Sequence, residues 1–125
     1  MTKSTFEDLI VWMRSRELRI ELTSITKSFP KDEKYMLVNQ IVRAARSVTN
    51  NIAEGYGRFH YQENIQFCRQ ARGSLYELID HLNICFDEKY ITEQKYSELK
   101  FNIYNIIKIL NGYISYLKKQ KELNN

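Results

Sequence analysis

The sequence predicts an all-α fold, a single domain over residues 1–125 built as an antiparallel up-down four-helix bundle. Four glycines and one proline leave little punctuation, so long helices joined by short corners are expected. Apolar residues recur at helical spacing in four successive segments, and no alternating pattern typical of a β-hairpin accompanies them. Hydrophobic residues make up 43% and charged residues 27%, the composition of an ordinary globular protein.

The first predicted helix covers residues 6–27 and carries more apolar surface than one core requires. One strip consists of Phe6, Leu9, Ile10, Met13 and Ile20, and another of Val11, Leu18, Leu22 and Ile25. Such a surplus predicts a partner surface. Pro30 suits the first turn of a second helix, predicted over residues 32–54. That helix has a core stripe of Leu37, Ile41, Ala44, Val48 and Ile52, with Asn39, Arg43, Arg46 and Asn50 opposite.

The third and fourth helices are predicted over residues 61–88 and 92–119, with Thr92 as the N-cap of the fourth. The third is expected to bury Cys68, Ala71, Leu75, Leu78, Leu82 and Phe86 and to turn Glu77, Asp80 and His81 to solvent. The fourth has an unbroken stripe of Tyr96, Leu99, Ile103, Ile106, Leu110, Ile114 and Leu117. Phe101, Ile109 and Tyr116 project elsewhere, which again exceeds the needs of one core.

The stretch "SVTNNIAEGYGR", residues 47–58, is predicted to form the corner between the second and third helices. Gly55 follows the periodic run, where a left-handed residue commonly closes a helix. Glu54 opposes the helix dipole, so an ion pair with a nearby cation, Arg58 or an arginine of another helix, is expected there. Asn50 and Asn51 are expected to bond the last carbonyls. No strand precedes the glycines, so a phosphate-binding loop is not indicated.

Arginines are the best candidates for a binding function. The formal net charge is +4, and residues 14–72 carry +5, whereas residues 73–125 are neutral. Pairs three residues apart, Arg16/Arg19, Arg43/Arg46 and Arg69/Arg72, place two guanidinium groups on one side of each of three helices. Guanidinium binds phosphate bidentately and stacks on bases. The predicted nucleic-acid contacts are Arg19, Arg43, Arg46, Arg58, Arg69 and Arg72; the alternative is that these arginines pair with acidic residues of the protein.

Catalytic chemistry finds little support in the sequence, and we predict a protein that is not an enzyme and has no metal or cofactor. Glu-x-x-His and paired Cys-x-x-Cys motifs are absent. Cys68 and Cys85 fall on one predicted helix, seventeen residues apart, so reduced buried thiols are expected. No apolar run reaches the length of a membrane span, and no signal peptide is recognisable, so a cytoplasmic protein without membrane contact is predicted.

Several motifs together resemble a known family. "LVNQIVRAARSVTNNIAEGYGR" and "YQENIQFCRQARGSLYEL", with Trp12 and Tyr35, are similar to the four-helix bundle proteins encoded by intervening sequences in bacterial 23S rRNA genes. Relatives of that family include the accessory variability determinant of diversity-generating retroelements. Val42, Arg46 and Thr49 depart from the family pattern, which has arginine, a small or apolar residue and proline near these positions.

The resemblance implies a homopentameric barrel with a basic surface. It favours a non-enzymatic protein that binds nucleic acid, structured RNA in preference to DNA. The alternative is a scaffold that docks on a reverse transcriptase or a ribosomal factor.

Overall fold

The computed structural model describes residues 4–124, which fold into four α-helices and two short 3₁₀ turns. The helices are α1 (Ile10–Thr26), α2 (Leu37–Gly57), α3 (Tyr61–Asp87) and α4 (Glu93–Leu123). Consecutive helices pack together, and α1 also contacts α4, which closes the bundle. Asn64 in early α3 donates to Tyr113 in late α4 (3.2 Å), and Tyr96 in early α4 donates to Asn83 in late α3. These pairs make α3 and α4 antiparallel, as an up-down bundle requires.

The core follows the predicted stripes closely. Every residue of the predicted α2 stripe is buried, and Asn39, Arg43, Arg46 and Asn50 are exposed on the opposite face. In α4 the stripe from Leu99 to Leu117 is buried as well, while Tyr96 is only partly covered. In α3 the prediction for Phe86 is wrong: its side chain is 37% exposed and its ring stacks on that of Tyr96, with centroids 4.6 Å apart. The helical periodicity therefore identifies most of the core.

The first helix is interrupted, contrary to prediction. A 3₁₀ turn at Phe6–Asp8 is capped by Thr5, whose side chain accepts from the Glu7 backbone N–H, while Asp8 accepts from the Thr5 N–H. Leu9 is then extended, with φ −72° and ψ 128°, and α1 begins at Ile10. These two reciprocal hydrogen bonds give partners to backbone N–H groups at the start of the 3₁₀ turn. The turn is therefore a separate element, and the chain changes direction before α1.

The second helix begins and ends later than predicted. Residues Lys31–Glu33 form a separate 3₁₀ turn after Pro30, and α2 starts only at Leu37. At the other end α2 continues to Gly57, so Gly55 is helical and does not adopt a left-handed conformation. At this corner the left-handed residue is Phe59, with φ 52°. Both predicted ends of α2 are wrong. They were inferred from local capping residues, which carry no information about contacts with another helix.

Gly55 is needed for a close approach of α2 and α3. A Cβ atom there would lie 2.8 Å from both Asn64 Oδ1 and Phe67 Cβ, and 3.2 Å from the Asn64 carbonyl oxygen. Real Cβ contacts are longer than this, so only glycine fits without movement of α3. Gly55 is therefore a helix-crossing residue.

Several apolar side chains remain exposed on α1 and α4. In α1, Ile10, Met13 and Ile20 of the first predicted strip are three of them, whereas Val11, Leu18 and Leu22 of the second strip fill the core. We call the exposed set the outer apolar face; it comprises Ile10, Met13, Ile20, Phe101, Tyr104 and Tyr116, at 40–70% exposure. A cavity of about 530 Å³ lies between the two helices, lined by Arg14, Ile106 and Ile109 among others. No helix within residues 4–124 is long and apolar enough to span a membrane.

Candidate nucleic-acid interface

Five cations line adjoining cavities along the seam between α1 and α2. Two adjoining cavities of about 400 and 280 Å³ share Thr23, Lys27 and Arg46 in their walls. We call this seam the basic groove. Its cations are Arg19, Lys27, Lys31, Lys34 and Arg46. Helix α1, the 3₁₀ turn and α2 each contribute, so the groove exists only in the folded chain.

The floor of the basic groove is apolar. Phe29, Pro30, Val38 and Val42 line the larger cavity. Phe29 is buried, and its ring packs on that of Tyr90 with centroids 5.1 Å apart. The connection after α1 thus places an apolar surface between flanking cations. Aliphatic lysine stems extend the apolar surface while their ammonium groups stay in water.

The cations of the groove are not neutralised by the protein. Within residues 4–124, no carboxylate lies within 4.0 Å of any of the five. Asp32 and Glu33 share the 3₁₀ turn, but neither lines a groove cavity. Glu33 accepts a hydrogen bond of 2.7 Å from the Tyr90 hydroxyl. Unpaired cations around a concave surface favour an anionic ligand.

Arg19 has a fixed position at one end of the groove. Its Nη1 donates to Thr49 Oγ1 at 2.8 Å, and that hydroxyl in turn donates to the Arg46 carbonyl at 3.2 Å. Arg19 is half-buried, whereas Arg46 is exposed. The hydrogen bond pre-orients one guanidinium, and the remaining N–H groups stay available to an anion.

Arg43 lies apart from Arg46, although both project from the outer half of α2. It lines a separate cavity of about 360 Å³ between α2 and α3, together with Ser47, Ser74 and Glu77. The two serine hydroxyls bond each other at 3.0 Å. A carboxylate in the same cavity makes this position less favourable for phosphate than the basic groove.

Arg69 and Arg72 belong to a third region, the α3–α4 groove. Gln62, Ile65, Arg69, Lys118, Lys121 and Glu122 line its cavity of about 320 Å³. Lys121 Nζ donates to Gln62 at 2.6 Å, and Arg72 Nη1 donates to Asn111 at 2.7 Å. Lys121 and Arg72 are therefore engaged within the bundle, and the Glu122 carboxylate lines the same cavity as Arg69 and Lys118.

Arg58 braces the end of α2, as the ion-pair prediction proposed. Its Nη2 lies 3.6 Å from Glu54 Oε1, and its guanidinium carbon lies 5.1 Å from the centre of the Phe67 ring. The predicted corner residues are placed differently: Asn50, Asn51, Glu54 and Gly55 all lie inside α2. Asn51 donates to the Ser47 carbonyl at 2.9 Å, while Asn50 is exposed. The chain turns three residues later, at 58–60.

The structure therefore divides the six predicted arginines. Arg19 and Arg46 both line the basic groove, while the other four lie outside it. Sequence reasoning missed Lys27, Lys31 and Lys34 as site residues. The signal was present in "KSFPKDEK", where lysines recur around a phenylalanine and a proline. Two intervening acidic residues obscured it.

Cys68, Cys85 and His81 are buried titratable groups of the bundle. Burial raises the pKa of Cys68 to about 12 and that of Cys85 to about 11, so both free thiols stay protonated. The prediction of an exposed His81 is wrong; the ring is buried, with Nε2 3.0 Å from Glu77. Within residues 4–124, no three His, Cys, Asp or Glu side chains are grouped as metal ligands would be.

Comparison with known proteins adds a family to this architecture. Residues 7–112 match the family model of the 23S rRNA-intervening sequence protein, whereas no curated protein matches the sequence. The fold is similar to the crystal structure of a protein of unknown function from the S23 ribosomal protein family of Bacteroides thetaiotaomicron. That likeness has a TM-score of 0.79 at 23% identity, over 87% of this chain and 98% of the other. Because the family model spans most of the chain, the protein belongs to the 23S rRNA-intervening sequence protein family.

Proposed function

We propose that the protein binds nucleic acid, RNA in preference to DNA, through the basic groove and catalyses no reaction. The observation that carries the proposal is the set of five cations around one cavity system that has no carboxylate in its walls. Lysine and arginine at such a surface neutralise phosphates and release their counterions on binding. No element within residues 4–124 has the form of a motif that reads base sequence, so binding should depend little on the order of the bases.

Self-assembly is the second part of the proposal. The outer apolar face leaves large side chains of α1 and α4 in water, including Phe101 at 70% exposure. Large apolar side chains left in water are covered when subunits associate, so these residues support a homo-oligomer. The family resemblance favours a pentamer. Five copies of a chain with formal charge +4 would carry +20, which multiplies the attraction for a polyanion.

The test is the binding of a labelled, structured RNA by wild-type protein, followed by fluorescence anisotropy across a salt series. Affinity should fall steeply and linearly on logarithmic axes as salt rises. Poly-glutamate of equal charge, added as competitor, should displace the RNA poorly, because it has neither bases nor ribose 2′-hydroxyls. Light scattering on the same samples reports the oligomer size.

A lack of RNA and DNA binding at low salt would contradict the proposal. Efficient displacement by poly-glutamate would instead favour the rival scaffold function, in which the groove receives an acidic protein such as a reverse transcriptase or a ribosomal factor. A monomer at all concentrations would overturn the assembly part alone.

A further inference from the structure

We infer that the basic groove selects unpaired nucleotides, with Tyr35 stacking on one base and the apolar cavity receiving another. The inference rests on the proposed function and narrows its ligand from nucleic acid in general to single-stranded segments. Two observations beyond charge carry it: an exposed aromatic ring beside the groove, and an apolar floor between the cations.

Tyr35 supplies the exposed aromatic ring beside the groove. It is 81% exposed, and within residues 4–124 its hydroxyl makes no hydrogen bond. Lys34, which lines the groove, places its Nζ 5.3 Å from the centre of the Tyr35 ring. The ring therefore stands next to a cation that can contact a phosphate. An aromatic face in this position is the usual platform for stacking an unpaired base.

The apolar floor distinguishes the ligand further. Phosphate and ribose are polar, so neither gains by contact with Phe29, Pro30, Val38 and Val42. In a duplex, the flat faces of the bases are covered by stacking on each other. A cavity of about 400 Å³ is large enough for one nucleobase. An unpaired nucleotide is thus the anionic ligand that uses both the cations and the floor.

The arrangement of the cations fits a strand that runs along the seam. Lys31, Lys34 and Arg46 surround the apolar cavity, and Arg19 borders the adjoining one with Lys27 and Arg46. A strand with one base in the cavity would place its flanking phosphates at opposite rims. Lys34, shared between the cavity wall and the Tyr35 ring, would contact the phosphate between the two bound bases.

The experiment compares three labelled RNAs of equal nucleotide number: an unstructured strand, a blunt hairpin, and a hairpin with a single-stranded tail. Affinity is measured by anisotropy at one salt concentration for wild type, Tyr35→Ala and Tyr35→Phe. A 2-aminopurine in the tail reports stacking through fluorescence quenching. Tyr35 is exposed, so its substitution should leave the fold intact, which circular dichroism verifies.

The unstructured strand and the tailed hairpin should bind at least about tenfold more tightly than the blunt hairpin. Tyr35→Ala should weaken those two by about tenfold, leave the blunt hairpin unchanged and remove the quenching; Tyr35→Phe should behave as wild type. Equal affinity for all three RNAs, with no effect of Tyr35→Ala, would overturn this inference and leave the proposed function intact. Absence of binding to every RNA would overturn both.

Discussion

The basic groove and the α3–α4 groove each gather several cations, yet they differ in how those cations are used. In the α3–α4 groove, Lys121 is bound to Gln62 and the carboxylate of Glu122 lines the same cavity. In the basic groove, both walls come from the part of the chain that carries +5, and the floor is apolar. One wall of the α3–α4 groove comes from α4, in the neutral half of the chain. Whether a cation can bind a ligand depends on the side chains around it in the fold. The number of charged residues along the sequence does not reveal those surroundings.

The largest expected effect separates the two grooves directly. Reversing two charges in the basic groove, with Lys27→Glu and Arg46→Glu, should reduce RNA affinity by about a hundredfold or more at low salt, since attraction becomes repulsion. The matched pair Lys118→Glu and Lys121→Glu changes the net charge equally. It should cost less than about fivefold, an effect of overall charge only.

Anisotropy titrations of both double variants, with light scattering to confirm unchanged assembly, measure the difference. Equal losses in the two variants would show that net charge, and not the groove, governs binding.

The second prediction concerns the scaffold that both grooves share. Gly55→Ala should lower the free energy of unfolding by about 1–3 kcal/mol, because its Cβ would overlap Asn64 and Phe67 on α3. Gly112→Ala is the matched control; nothing lies within 4 Å of its added methyl, so it should stabilise α4 by up to about 1 kcal/mol. Urea unfolding followed by circular dichroism compares them. If Gly55→Ala left the free energy of unfolding unchanged, the packing of α2 on α3 would not require glycine at this position.

The third prediction uses the salt dependence of binding to sharpen the comparison. Neutralising one groove cation with Lys31→Gln should lower the slope of log affinity against log salt by about 0.7 to 0.9, the release of one counterion. Lys118→Gln should leave the slope unchanged. Titrations of both variants at four or more salt concentrations give the slopes. An unchanged slope for Lys31→Gln would place the phosphate contacts elsewhere.

The smallest expected effect concerns the turn that carries Lys31. The hydrogen bond from Tyr90 to Glu33, with burial and nearby carboxylates, raises the pKa of Tyr90 to about 12 from its ordinary 10. The folded state favours the protonated phenol, so this stabilisation is complete below pH 10 and is lost as the pH rises from about 10 to about 12. Tyr90→Phe should remove the part of the unfolding free energy that varies with pH in this range. It should also weaken RNA binding by about twofold, because the turn loses its hydrogen bond to Tyr90.

Urea unfolding at about pH 9 and pH 11 tests the alkaline loss, with Tyr61→Phe as control, because within residues 4–124 the Tyr61 hydroxyl makes no hydrogen bond. If Tyr90→Phe lost as much stability between these pH values as wild type, the tie between Tyr90 and Glu33 would not contribute.

Sequence reasoning predicted the helices and most of the core because both follow a local period. The stripe from Leu37 to Ile52 repeats at helical spacing, and Thr92 caps α4 with its side chain, accepting from the Lys95 N–H at 3.1 Å. The predictions from sequence fail where contacts between distant segments determine the structure. Gly55 looks like a helix end in the sequence, yet it is required by Asn64 and Phe67 on α3.

The candidate site was predicted only in part for the same reason. Arg19 and Arg46 lie 27 positions apart and line one cavity only because α1 packs on α2. Lys31 and Lys34 flank Asp32 and Glu33, so the four charges sum to zero along the chain. In the fold, Glu33 is bound by Tyr90 and only the lysines line the cavity. Which charged side chains have partners is therefore determined by tertiary contacts and not by the order of residues along the chain.

The most direct test of the central claim is lysine footprinting of the unaltered protein with and without RNA. An amine-reactive label, read by mass spectrometry, compares Lys27, Lys31 and Lys34 with Lys118 and Lys121, all measured in one sample. Comparison with the RNA-free protein cancels any protection due to self-assembly. RNA should protect the three lysines of the basic groove and leave the two of the α3–α4 groove labelled as before. Protection confined to Lys118 and Lys121, or equal at all five, would contradict the account.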